Sequence, residues 1–209
     1  MPEPDGAGGG PTRPGRRVRL AILISGRGSN MEAIARAAQA SDYPAEVVLV
    51  VSNRAEAAGL ARAAALGVPT AVVPHREFPS REAFEEALHA LLAAHRVEAV
   101  ALAGFMRVLT EGFVRRWEGR MVNIHPSLLP LYPGLDTHAR ALAAGDREAG
   151  ATVHLVTPVL DSGPVLAQAR VPVLPGDTPE TLAARVLEAE LALYPRAIAD
   201  WLRPWAAAG

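Results

Sequence analysis

The chain has 209 residues, half of them hydrophobic and 21% charged, a balance that suits a globular domain with a full core. Its formal net charge of −1 gives no electrostatic reason to expect nucleic acid or an anionic membrane as a partner. It has no cysteine, and all 21 basic residues are arginine, which excludes disulfides, thiolate catalysis, cysteine-held metals and a Schiff-base lysine.

Met1 to about Gly15 is rich in Pro and Gly and has no apolar periodicity, so residues 1–16 are expected to be a disordered tail ahead of a single domain, 17–209. The tail lacks the apolar stretch of a signal peptide, and no apolar run is long enough to span a membrane, so the expected location is the cytoplasm. Val18–Ser25 reads as a buried strand. It is followed by Gly26-Arg27-Gly28-Ser29-Asn30 and a helix from about Met31 to Ala40. A strand, a glycine loop and a helix N-terminus together suit an anion, because backbone N–H groups point outwards and glycine permits close approach. The loop is neither G-x-G-x-x-G nor a Walker A loop, and Ser29 or Asn30 capping the helix is the plainer alternative.

Further strands are expected at Ala45–Asn53, Thr70–Pro74 and Glu98–Gly104, with helices at Ala57–Leu66 and from the Ser80 cap to about Arg96. Phe84, Leu88 and Leu91 form the core stripe of that second helix, and His89 and His95 are read as solvated. Arg81 sits in its first turn, where the helix dipole disfavours a cation; a ligand carboxylate or a surface ion pair would account for it. Phe105 to Leu109 is an apolar loop suited to lining a slot for a flat ligand or to simple packing.

Met121-Val122-Asn123-Ile124-His125 reads as the fifth strand, stopped by Pro126. Alternation puts Asn123 and His125 on one face at its carboxyl end, where open α/β sheets bind ligands. An amide suits an oxyanion and an imidazole suits proton transfer, although both residues can also serve a turn. After Pro130 come a Pro- and Gly-containing loop, a helix over Thr137–Ala144, strands over Ala151–Val156 and Val165–Val173, and a final helix from Pro179, which Pro195 should kink or break. The expected fold is α/β: a doubly wound parallel sheet with a C-terminal antiparallel extension and a long final helix. Six histidines without ligand spacing, and no cysteine, imply no metal.

The run Asn123-x-His125-Pro126-Ser127-Leu128-Leu129-Pro130, with Leu160-Asp161-Ser162-Gly163-Pro164 downstream, resembles the folate-dependent formyltransferase superfamily. Gly28-Ser29-Asn30, Ala103-Gly104-Phe105-Met106-Arg107 and Tyr132-Pro133-Gly134 are similar to the branch that formylates glycinamide ribonucleotide, over nearly everything from Val18 to Leu202. That resemblance implies 10-formyltetrahydrofolate as co-substrate, small-molecule partners only, and a monomer or homodimer. It implies that Asn123 and protonated His125 stabilise a tetrahedral oxyanion while Asp161 assists. Gly28, Ser29 and Asn30 would hold the phosphate, and Glu190 the ribose and glycinamide part. Arg81 would lie near the folate, with Met106, Arg107, Val108 and Leu109 lining the pterin pocket together with Asn123, Thr157, Leu160 and Asp161. Leu187 stands where a Gln can assist the phosphate, and Asp136 where a His is often found. A sugar-nucleotide formyltransferase and a non-catalytic folate-binding sensor are the alternatives. The tRNA-directed and hydrolytic relatives are set aside, because the chain offers no length for their additional domains.

Overall fold

The computed structural model describes residues 16–208. The stretch expected to be a tail lies outside them except for Arg16, which pairs with Glu98. One seven-stranded sheet runs in the order β3-β2-β1-β4-β5-β6-β7. Its parallel part comprises β1 (Val18–Ile24), β2 (Ala45–Ser52), β3 (Thr70–Val72), β4 (Ala99–Leu102) and β5 (Met121–His125). The strands β6 (Glu148–Leu155) and β7 (Val165–Pro172) add the antiparallel extension.

Strand alternation divides the core in two. On β1, Leu20, Ile22 and Ile24 face one side, where they pack with Met31 and Ile34 of α1 (Ser29–Ala37), Ala63 of α2 (Ala58–Ala65) and the buried face of α6 (Pro179–Ala207). Ala21 and Leu23 face the other side, against Phe84, Leu88 and Leu92 of α3 (Arg81–Ala94). All five β1 residues are fully buried, consistent with a central parallel strand covered on both faces.

Four features differ from the sequence expectation. The helix α4 (Glu111–Arg116) was not anticipated; its six residues are too short for a periodic signal, but Thr110 caps it by accepting from Phe113 N at 3.3 Å. The strand β6 starts earlier than expected because Glu148 pairs with Pro172 at the end of β7. His89 is half-buried rather than solvated, and its ring meets Trp117 edge-on at 5.9 Å. Finally, α6 runs unbroken through Pro195. Buried Leu193, Tyr194, Ala197 and Ile198 fix the helix on both sides of the proline. Tyr194 Oη also donates to the carbonyls of Leu102 (2.9 Å) and Val122 (3.2 Å), tying the helix to β4 and β5. Packing there outweighs the loss of one helical hydrogen bond.

Candidate active site

The site opens at the carboxyl ends of β1, β4 and β5, beside the switch from parallel to antiparallel pairing. Asn123 and His125 share one face of β5, and β6 brings His154 directly opposite Asn123 and Thr152 opposite His125. Asp161 reaches the group from the turn between β6 and β7, where its backbone is left-handed (φ 50°). Its Oδ2 lies 3.4 Å from His125 Nδ1, and its Oδ1 lies 3.8 Å from His154 Nε2. Oδ2 also accepts from Gly134 N at 2.8 Å, which locks the carboxylate to the loop after Pro130. All three side chains are nearly buried.

Hydrogen bonding assigns the protons. His125 Nε2 is 2.9 Å from the Tyr132 carbonyl, which can only accept, so Nε2 carries a hydrogen and Nδ1 faces Asp161. His154 Nδ1 donates to its neighbour's carbonyl, Leu155 O, at 3.0 Å. Burial holds His154 below the usual histidine range, and His125 lowers it further, against opposing pulls from the Leu155 hydrogen bond and Asp161. The neutral ring then accepts at Nε2 from Asn123 Nδ2, 3.4 Å away. An amide nitrogen carries two hydrogens, so Asn123 keeps one for a ligand. His138, on α5 (Thr137–Ala143), is likewise held low by burial and then by the neighbouring His125.

Two hollows open at these strand ends. A cleft of about 110 Å³ is walled by Leu102, Phe105, Arg107, Val108, Leu109 and Val156, and its floor carries Asn123, His154 and Asp161. Thr157 and Leu160 close it from the β6–β7 turn. Past the ends of β1 and β4, a hollow of about 270 Å³ lies over the glycine loop, lined by Gly26, Gly28, Ser29, Asn30, Arg54 and Met106 among others. Gly28 has φ 77°, and α1 starts directly after it with no side-chain cap. Asn30 turns instead to α6, where its Nδ2 donates to Glu190 Oε2 at 2.7 Å. Burial raises the Glu190 carboxyl above the ordinary carboxylate range, partly offset by that hydrogen bond.

The expected catalytic residues therefore come together, and so do Gly28, Ser29, Asn30 and Glu190. Two expected folate-site residues do not join the cleft. Met106 is exposed and borders the glycine-loop hollow instead, and Arg81 is exposed at the start of α3, lining neither hollow. Both departures follow from direction: Met106 sits just after the left-handed Gly104, and Arg81 follows its cap into solvent. Leu187 is half-buried one turn before Glu190. Asp136 is the exposed, left-handed N-cap of α5 and makes no side-chain cap bond. The sequence reading missed His154 and the Tyr132 carbonyl. The alternation Thr152-x-His154 mirrors Asn123-x-His125 across the antiparallel β5–β6 pair, and that pattern was available as a signal.

A half-buried amide, an imidazole held between a carbonyl and a carboxylate, and a second neutral imidazole are groups able to donate to an oxyanion and to pass a proton. With an apolar cleft and a hollow over a glycine loop at the same strand ends, the arrangement suits a group-transfer enzyme. The chain belongs to the formyl transferase family, whose pattern matches residues 18–198. Within that family it is similar to the phosphoribosylglycinamide formyltransferase of Escherichia coli (strain K12), 46% identical over 181 residues, covering 87% of this chain and 85% of that protein. The trifunctional purine biosynthetic protein adenosine-3 of Drosophila pseudoobscura pseudoobscura is 51% identical over 185 residues, but the chain spans only 14% of its length. Among solved structures, the phosphoribosylglycinamide formyltransferase of Brucella melitensis is 57% identical with a TM-score of 0.86, covering 90% of this chain and 96% of that one. Glycinamide ribonucleotide transformylase 1 of Symbiobacterium toebii gives a TM-score of 0.87 at 43% identity.

Proposed function

We propose that the chain transfers the formyl group of 10-formyltetrahydrofolate to the amine of N1-(5-phospho-D-ribosyl)glycinamide, a step of de novo purine synthesis. What supports this reading is the grouping of Asn123, His125 and Asp161 at the end of β5, with Asp161 Oδ2 3.4 Å from His125 Nδ1 and with Asn123 and Asp161 lining the cleft. The ribonucleotide phosphate meets the glycine loop and the N-terminus of α1, where a dianion is favoured by the helix dipole. Glu190, oriented by Asn30, contacts the ribose and glycinamide part. The pterin enters the cleft beside Arg107 to Leu109.

The amine nitrogen attacks the formyl carbon to form the new C–N bond, and the carbonyl oxygen becomes an oxyanion. Asn123 Nδ2 stabilises that oxygen with its free hydrogen, and protonated His125 stabilises it through its positive charge. The bond to the folate nitrogen then breaks as the oxyanion collapses, and the proton lost by the amine travels to the leaving nitrogen through a water positioned by Asp161. No step requires a metal, and the partners are small molecules only, in a cytoplasmic monomer or homodimer. Among the described residues no helix is long and apolar enough to cross a membrane, and no group of three or more acidic or histidine residues could hold a metal ion.

The test compares three acceptors with one formyl donor: glycinamide ribonucleotide, its dephosphorylated form and an amino-sugar nucleotide. Formylation of the ribonucleotide with kcat/KM at least a hundredfold above the other two is expected. Preference for the amino sugar, or indifference to the phosphate, would refute the assignment.

A further inference from the structure

The segment from Gly104 to Leu109 is the wall between the two hollows: Met106 borders one, and Arg107 to Leu109 line the other. It has no regular secondary structure, so hydrogen bonds at its two ends determine where it stands. Beyond its far end, the buried carboxylate of Glu85 on α3 accepts from Thr110 N at 2.7 Å and from the Thr110 hydroxyl. At the near end, Gly104 O accepts from Ser25 N at 3.1 Å, and Met106 N donates to Ser25 Oγ at 2.8 Å.

A serine hydroxyl has one hydrogen and two lone pairs. Here the hydrogen goes to Asn53 Oδ1 at 2.6 Å, which turns the lone pairs toward the Met106 N–H. Asn53 is itself held by His75, whose Nδ1 bonds either Asn53 Nδ2 (3.1 Å) or Asn53 O (3.0 Å) according to its tautomer. Ser25 is 3% and Asn53 4% exposed, so water does not replace these partners readily. Neither Asn53 nor His75 lines the cleft or the glycine-loop hollow; both face a separate open hollow of about 440 Å³ behind the segment.

We infer that Asn53, supported by His75, is a positioning residue for the formyl-donor pocket. It orients the Ser25 hydroxyl that pins the Met106 amide, and so fixes the wall carrying Arg107, Val108 and Leu109. The kinetic consequence rests on the proposed function; the structural one does not.

Two readouts test it on the full chain. In Asn53→Ala, the Met106 amide should exchange its hydrogen at least about tenfold faster than in wild type, since freeing the hydroxyl removes a protected acceptor. The KM for 10-formyltetrahydrofolate should rise about tenfold with kcat within about threefold, the scale expected when one buried hydrogen bond is left unsatisfied. Ser25→Ala should do the same, and the double variant should be no worse than Ser25→Ala alone, because the two residues act in series. Unchanged Met106 exchange, an unmoved donor KM, or additive effects in the double variant would each overturn the inference. Should Asn53→Ala not fold, the half-buried His75→Ala takes its place with the same expected direction in both readouts. A wild-type protein that transfers no formyl group would defeat the proposed function, while Met106 exchange would still decide the tether.

Discussion

Asp161→Asn is the most informative single change at the site. The substitution keeps shape and volume, and the amide oxygen can still accept from Gly134 N, so the loop lock and the melting temperature should be retained. What is lost is the negative charge 3.4 Å from His125 Nδ1. With an effective dielectric constant of about 20, a charge pair at that separation interacts by about 5 kcal/mol before side-chain relaxation. At about 1.4 kcal/mol per tenfold in rate, this bounds the loss near three to four decades if His125 carries the full charge in the transition state. Partial charge and solvent leakage bring the lower end to about two decades, which matches the usual loss of an acid–base or oxyanion group. The expected result is therefore kcat reduced by roughly two to four decades with both KM values within a few-fold, measured by the absorbance change of the folate product at saturating substrates. Turnover within tenfold of wild type in a folded Asp161→Asn protein would refute the role given to the carboxylate.

Gly28→Ala should lower the melting temperature as well as raise the acceptor KM. The new Cβ would lie 2.7 Å from the Gly59 backbone at a residue with φ 77°, so an unchanged melting temperature would contradict this packing. Glu190→Gln tests burial through pH. A carboxyl whose value is raised on folding binds its proton more tightly in the folded state, so its contribution to stability is greatest below 4.5 and is lost as pH rises through the raised value. The variant should therefore gain melting temperature relative to wild type between about pH 4.5 and pH 7, and a pH-independent difference would argue against the buried, raised carboxyl. A chelator should leave turnover unchanged; loss of activity restored by a divalent ion would introduce a metal into the mechanism.

Much of this fold was legible because its signals are local. On β1, the apolar run between a charged start and a glycine loop marks a strand buried on both faces, and the Asn123-x-His125-Pro126 sequence announces its own strand end and paired side chains. Ser80 and Thr178 mark their helices as caps, and both accept a hydrogen bond from the third residue of the helix. The features that escaped depend on partners distant in sequence. Gly28 is a glycine partly because Gly59 of α2 packs on it, a reason invisible in the loop itself. His154 enters the site only through the register of β6 against β5. Asp161 was legible only through the family resemblance, because the left-handed turn that brings it to His125 has no local signature. Pro195 misled because the sequence carries the local cost of a proline but not the tertiary burial of Tyr194 and Ile198 beside it.

The central claim is that Asn123, His125 and Asp161 together move a formyl group from the folate to the amine of the ribonucleotide. Its most direct test is a single turnover with a donor labelled with ¹³C at the formyl carbon, mixed with excess protein and glycinamide ribonucleotide in metal-free buffer and followed by carbon NMR. The label should pass from the folate to the acceptor amide, without free formate, at a rate that collapses in Asp161→Asn. Label appearing as formate, or passing to the acceptor equally fast in wild type and Asp161→Asn, would contradict the account.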